Sequence, residues 1–163
     1  MGAAGWLLSQ AARLVGSPLP TSRAVGLASV VSVTEDARGG GQTWTRLYVR
    51  PSGFPQIIHS AKRFAGPTGL EEHVGAGLGM MLTVAVENGG LVFRARGFFL
   101  DLLGLRLHLP AWLSPGALTV THAETEVGGF RFTLTLRHPR FGLLIRQDAV
   151  FRDSVAADVL RSA

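Results

Sequence analysis

The sequence predicts a mostly β protein, an antiparallel meander forming a barrel or half-barrel, with a short N-terminal helix and room for a short C-terminal one. Three observations predict it. Period-two alternation sets Phe130, Phe132, Leu134 and Leu136 against Arg131, Thr133, Thr135 and Arg137. Glycine turns, such as Asn88-Gly89-Gly90 and Gly128-Gly129, separate the alternating runs. No crossover helix fits between those runs, so they pair as successive hairpins rather than as α/β units.

Taken in order, the chain reads as one domain over residues 1–163, with a helical segment 1–20, a β meander 21–152 and a tail 153–163. Trp6, Leu7, Ala11, Leu14 and Val15 fall at helical spacing within residues 3–15, and Gly16-Ser17-Pro18 stops the run. SVVSVTED and QTWTRLYV then flank the turn at residues 37–41, and PQIIHSAKRF makes a strand ended by Gly66-Pro67. Leu70–Val74 reads as a short strand or a turn. MMLTVAVE and LVFRARGF are the arms of the clearest hairpin, because Asn-Gly supplies the positive φ angles of a type I′ turn. ALTVTHAETEV pairs with FRFTLTLR, and a turn at residues 138–142 leads into LLIRQDAVF. Asp153-Ser154 offers N-cap residues for a last helix.

Residues 97–116, GFFLDLLGLRLHLPAWLSPG, stand apart as an almost continuous apolar run. Part of it pairs as a strand, and Pro110–Pro115 form a loop carrying Trp112. The run reads equally as ordinary core or as a greasy lip at a pocket mouth or membrane surface.

Composition narrows the function classes. The chain of 163 residues has no cysteine, which excludes disulfides, thiolate nucleophiles and cysteine-held metals. It is 47% hydrophobic and only 17% charged, so spare apolar surface must go into a cavity, a partner or a membrane face. The net charge is +5, carried by arginines and a single lysine, Lys62. These cations are scattered, and one tyrosine offers little for base stacking, which argues against nucleic acid. No uncharged stretch reaches the ~18 residues of a spanning helix. Met1–Gly16 lacks a basic n-region and makes a poor signal peptide, so the expected location is cytoplasmic with membrane association as an option.

Two constellations carry chemistry. His122, Glu124 and Glu126 share one face of a strand, and His-x-Glu holds a metal if His59 or His108 supplies a third ligand. A solvated polar face explains them more simply, and no metal is expected. Trp44, Arg46, Tyr48 and Arg50 form a second ladder. Pointing inward, its arginines would attract a carboxylate or phosphate headgroup. Pointing outward, which is the expected orientation, it is an aromatic–cationic stripe. No nucleophile elbow, P-loop or dinucleotide fingerprint is present, and Gly75–Gly79 precedes a strand, so no cofactor is expected.

Several signatures lie from about Gly41 onward: Trp44-Thr45-Arg46, Gly89-Gly90-Leu91, the Leu-Gly-Leu to Leu-Pro-x-Trp-Leu-x-Pro run of Leu103–Pro115, Gly129–Phe132 and Gly142–Arg146. In these the chain resembles a bacterial family catalogued as a domain of unknown function, number 4166. Two departures stand out. Typical members carry a segment ahead of the first helix, and an aromatic end to the last strand where Asp148-Ala149-Val150-Phe151 stands here. The resemblance implies the fold but no activity. Its members stand alone or behind saccharopine-dehydrogenase-like domains, which implies an accessory role beside a redox enzyme.

Three functions are therefore expected, in this order. The first is a non-catalytic module binding a small hydrophobic or lipid-like ligand through Trp44, Arg46, Tyr48, Trp112, His122 and Glu124. The second is an interaction domain packing on a redox enzyme or membrane. The third is an enzyme on a hydrophobic substrate using His122 and Glu124 as acid and base. Oligomeric state is not legible.

Overall fold

The computed structural model describes residues 25–152 except Arg38 and Val127. Ten strands follow one another: β1 (Ser29–Asp36), β2 (Gly41–Tyr48), β3 (Gln56–Arg63), β4 (Leu70–Gly75), β5 (Leu78–Glu87), β6 (Gly90–Leu102), β7 (Leu105–His108), β8 (Ala117–Thr125), β9 (Gly129–His138) and β10 (Gly142–Arg152). They form one antiparallel sheet in the order β1-β2-β3-β4-β5-β6-β8-β9-β10, with β7 paired to β6 alone. Among the described residues there is no α-helix. The two expected helices, at 3–15 and after Asp153, lie outside the described residues.

Leu70–Val74 is a strand, part of β4, rather than a turn. The β5–β6 hairpin turns at Asn88 (φ 50°) and Gly89 (φ 75°), the left-handed pair that a type I′ turn requires. The β6–β7 hairpin repeats that geometry with Leu103 (φ 50°) and Gly104 (φ 83°), placing a leucine where asparagine is the easier residue. The 97–116 run divides accordingly. Phe98 and Phe99 are buried on β6, while Leu102, Leu103, Leu105, Leu107, Trp112 and Leu113 are exposed.

The sheet curls strongly. Trp44 on β2 reaches His122 on β8, with ring centroids 6.3 Å apart. The Gln147 Nε2 on β10 donates to the Tyr48 Oη at 3.2 Å, linking the second strand to the last. β1 and β10 do not pair with each other, so the sheet is an open half-barrel. Register shifts at His73/Gly75, Met81/Leu82 and Leu143/Ile145 supply bends that help a flat ladder to curve.

The shift in β5–β6 has a second effect. Leu82 faces Ala95 but Met81 faces Gly97, so Arg96 is the extra residue. Skipping it brings Phe93, Ala95 and Phe98 to one side, where they pack with Met80 and Leu82. Leu136, Leu144 and Ile145 form a second buried group, joined to the first through Leu118. Each fully buried leucine or phenylalanine contributes about 1.5–3 kcal/mol.

Candidate functional site

The concave face of the half-barrel does not fill completely. It encloses a cavity of about 180 Å³, partly open to solvent. One wall is apolar and includes Met80, Leu82, Phe93, Phe98, Val120, Phe132, Leu134 and Leu136. Arg46, Tyr48, Ser60, Lys62 and Glu72 line the cavity from β2, β3 and β4, while His122 on β8 and Gln147 on β10 stand beside Phe132 and Leu134.

The charged wall is built from alternate residues of three neighbouring strands. Arg46 on β2, Ser60 and Lys62 on β3, and Glu72 on β4 all project inward by the two-residue repeat. The Ser60 Oγ donates to the Glu72 Oε1 at 2.8 Å, and Arg46 Nη1 donates to that same hydroxyl oxygen at 2.9 Å. Arg46 Nη2 lies 3.6 Å from Glu72 Oε1, and Lys62 Nζ lies 3.4 Å from Oε2. The side chains are only 15% exposed for Arg46 and Lys62 and 11% for Glu72, so these charges sit largely out of water.

Aromatic rings flank the cations. The Lys62 ammonium stands 4.3 Å over the Trp44 ring and 5.8 Å from Phe93, close enough for cation–π attraction. His122 sits among Trp44, Phe93, Phe130 and Phe132. Trp44 Nε1 is buried and has no hydrogen-bond partner among the described residues.

Burial acts on all three titratable groups, and the neighbouring charges decide the outcome. Burial raises the Glu72 carboxyl, but Lys62, Arg46 and the Ser60 hydroxyl outweigh it and hold the group below its ordinary value. Burial pushes the Lys62 ammonium below its ordinary value, and Arg46 adds to this against the pull of Glu72. Burial also lowers His122, helped by the positive charges of Lys62 and Arg46, so the imidazole favours its neutral form.

The residues singled out from the sequence divide here. Arg46, Tyr48 and His122 line the cavity, and Trp44 backs it through Lys62 and His122. The preferred outward orientation of the Trp44–Arg46–Tyr48 ladder is therefore wrong. Its faces are similar in polarity, and the partners that draw it inward, Glu72 and Gln147, come from distant strands. Arg50 lies beyond the end of β2. Trp112 is 81% exposed in its loop and does not line the cavity.

Glu124 is exposed at the end of β8, and Glu126 lies in the following turn, so the three-residue ladder is broken. His59 projects from the opposite side of β3 to Ser60 and shares a hydrogen bond with Thr45 at 3.0 Å. His108 is on exposed β7. Among the described residues no group of three histidine or carboxylate side chains is arranged to hold a metal. Sequence reasoning missed Ser60, Lys62 and Glu72. The one available signal was Lys62, a lone lysine in a chain that otherwise uses arginine.

Fold and site together define a class: an open antiparallel half-barrel enclosing an apolar cavity with one ionic wall. Residues 1–151 match the family described as Domain of unknown function (DUF4166), and the chain belongs to that family. The match begins well before Gly41, so it takes in the N-terminal segment as well as the strands. No curated protein and no solved structure matches the chain.

Proposed function

We propose that this protein is a non-catalytic binding module for a small hydrophobic ligand held in the concave cavity. The observation that carries the reading is the cavity itself: about 180 Å³, apolar over most of its lining, with its charged groups gathered on β2, β3 and β4. Concave, mostly apolar sites with a few convergent polar groups are the usual form of small-molecule sites. A well-packed half-barrel with no ligand to hold would fill this space with side chains.

Native mass spectrometry of freshly purified protein, followed by organic extraction, tests the reading. A discrete adduct recovered as a small hydrophobic molecule is the expected result. If no adduct is seen and an environment-sensitive apolar fluorophore also fails to bind saturably, the reading falls.

A second reading, docking on a membrane or an enzyme surface, is supported by the exposed leucines at the β6–β7 tip. Leu103 is 97% exposed and occupies a left-handed position that asparagine or glycine would take with less strain. Flotation with vesicles tests its membrane form. Wild type should float and Leu103→Asn should float less; wild type remaining at the bottom removes it.

A further inference from the structure

We propose that the charged wall receives the carboxylate of a small hydrophobic monocarboxylic acid, with Arg46 and Lys62 as the receiving cations. This rests on the binding-module reading and names its ligand class.

Charge carries the argument. Two largely buried cations face one carboxylate, Glu72, and His122 beside them favours its neutral form. A surplus positive charge in a poorly solvated wall is costly unless an anion joins it. The ammonium and guanidinium also carry more N–H donors than the Glu72 carboxylate and the Ser60 hydroxyl accept. One singly charged anion balances the wall. A phosphate near −2 would overshoot it.

Geometry sets the rest of the ligand. Arg46, Ser60, Lys62 and Glu72 gather on β2, β3 and β4, while the lining from β5, β6, β8 and β9 is mainly apolar, so an acid's head and body would meet different surfaces. An apolar cavity of ~150 Å³ takes a molecule the size of benzene. The body held here is therefore a single ring or a short folded chain, and a longer chain must leave through the mouth.

Calorimetric titration of the full chain with octanoate, 1-octanol and octyl phosphate tests the assignment. Octanoate should bind at least tenfold tighter than 1-octanol and tighter than octyl phosphate. In protein carrying isotope-labelled lysine, the single Lys62 side-chain signal should shift with octanoate far more than with 1-octanol. Lys62→Met and Arg46→Met should each remove most of the octanoate preference over 1-octanol, with circular dichroism and a cooperative thermal transition certifying that each variant is folded.

Equal binding of octanoate and 1-octanol by the wild type overturns the acid proposal and leaves the cavity reading standing. Preference for octyl phosphate overturns the carboxylate assignment. Preference kept in a folded Lys62→Met or Arg46→Met protein overturns the role of that cation. Failure of the wild type to bind any of the three overturns both the acid proposal and its underlying reading.

Discussion

Two consecutive glutamates, Glu71 and Glu72, are both buried, yet β4 sends them to opposite faces of the sheet into two different ionic clusters. Glu72 enters the concave cavity with Ser60, Arg46 and Lys62. Glu71 is fully buried on the convex side, where Arg106 from β7 donates to it at 2.6 Å. The same guanidinium also binds both carboxylate oxygens of Asp101, at 2.8 and 2.9 Å, and stacks 4.0 Å over Phe99.

The clusters differ in how charge is balanced and how much water they see. On the convex side Arg106 is about a third exposed, and two carboxylates share one guanidinium. In the cavity two cations share one carboxylate, with all three side chains nearly out of water. The convex cluster reads as a clasp holding the β6–β7 hairpin over Phe99. The concave cluster instead lines the cavity of about 180 Å³. Burial is common to both clusters; what separates them is that only the concave one lines that cavity.

The largest expected effect breaks the concave cluster. Glu72→Met leaves Arg46 and Lys62 facing each other without a counter-charge and should cost about 3–5 kcal/mol in urea unfolding. Glu71→Met should cost only about 1 kcal/mol or less, because Arg106 keeps Asp101 and its access to water. Equal losses in the two variants would erase the distinction drawn above.

Next in size is the floor of the convex cluster. Gly79 leaves the space into which the Phe99 ring packs, and a Cβ there would collide with that ring. Gly79→Ala should therefore destabilise by about 1–3 kcal/mol, measured as a lower thermal midpoint, while the octanoate affinity proposed for the concave wall stays unchanged. A fall in affinity larger than the loss of folded protein would show that the faces are coupled.

The smallest effect is on pH dependence. His122 is held below its ordinary value of 6.5, so the unfolded chain binds the imidazole proton more readily than the folded one. Its contribution is therefore full above about pH 6.5 and is lost as the pH falls below that value. His73, lowered by burial and by Arg63, acts in the same direction from the convex side. The urea midpoint of the wild type should drop between pH 7 and pH 5.5, and His122→Phe should drop less. An identical drop in that variant would assign the dependence to other groups.

Much of the fold could be read from the chain before the structure. The Asn88-Gly89 turn, the alternation in β9 and a strand within 97–116 all appear where expected, because each depends on residues near in sequence, whereas the Leu103-Gly104 turn that folds β7 back on β6 was not expected. The site was less legible. Period-two alternation grouped Trp44, Arg46 and Tyr48 on one face but could not say which face was inside. The bulge at Arg96 likewise breaks the alternation that would have separated Phe93 from Phe98.

The sequence by itself therefore determined the hairpins, the antiparallel order and the surplus of apolar residues, since local turn chemistry and side-chain period are properties of short segments. Only the tertiary structure decided which face became concave. The curl of the sheet brings β2 toward β8 and β10, and those contacts join residues far apart in the chain. The meeting of Lys62, Arg46 and Glu72 depends on that curl and on strand register, neither of which a single strand's pattern records.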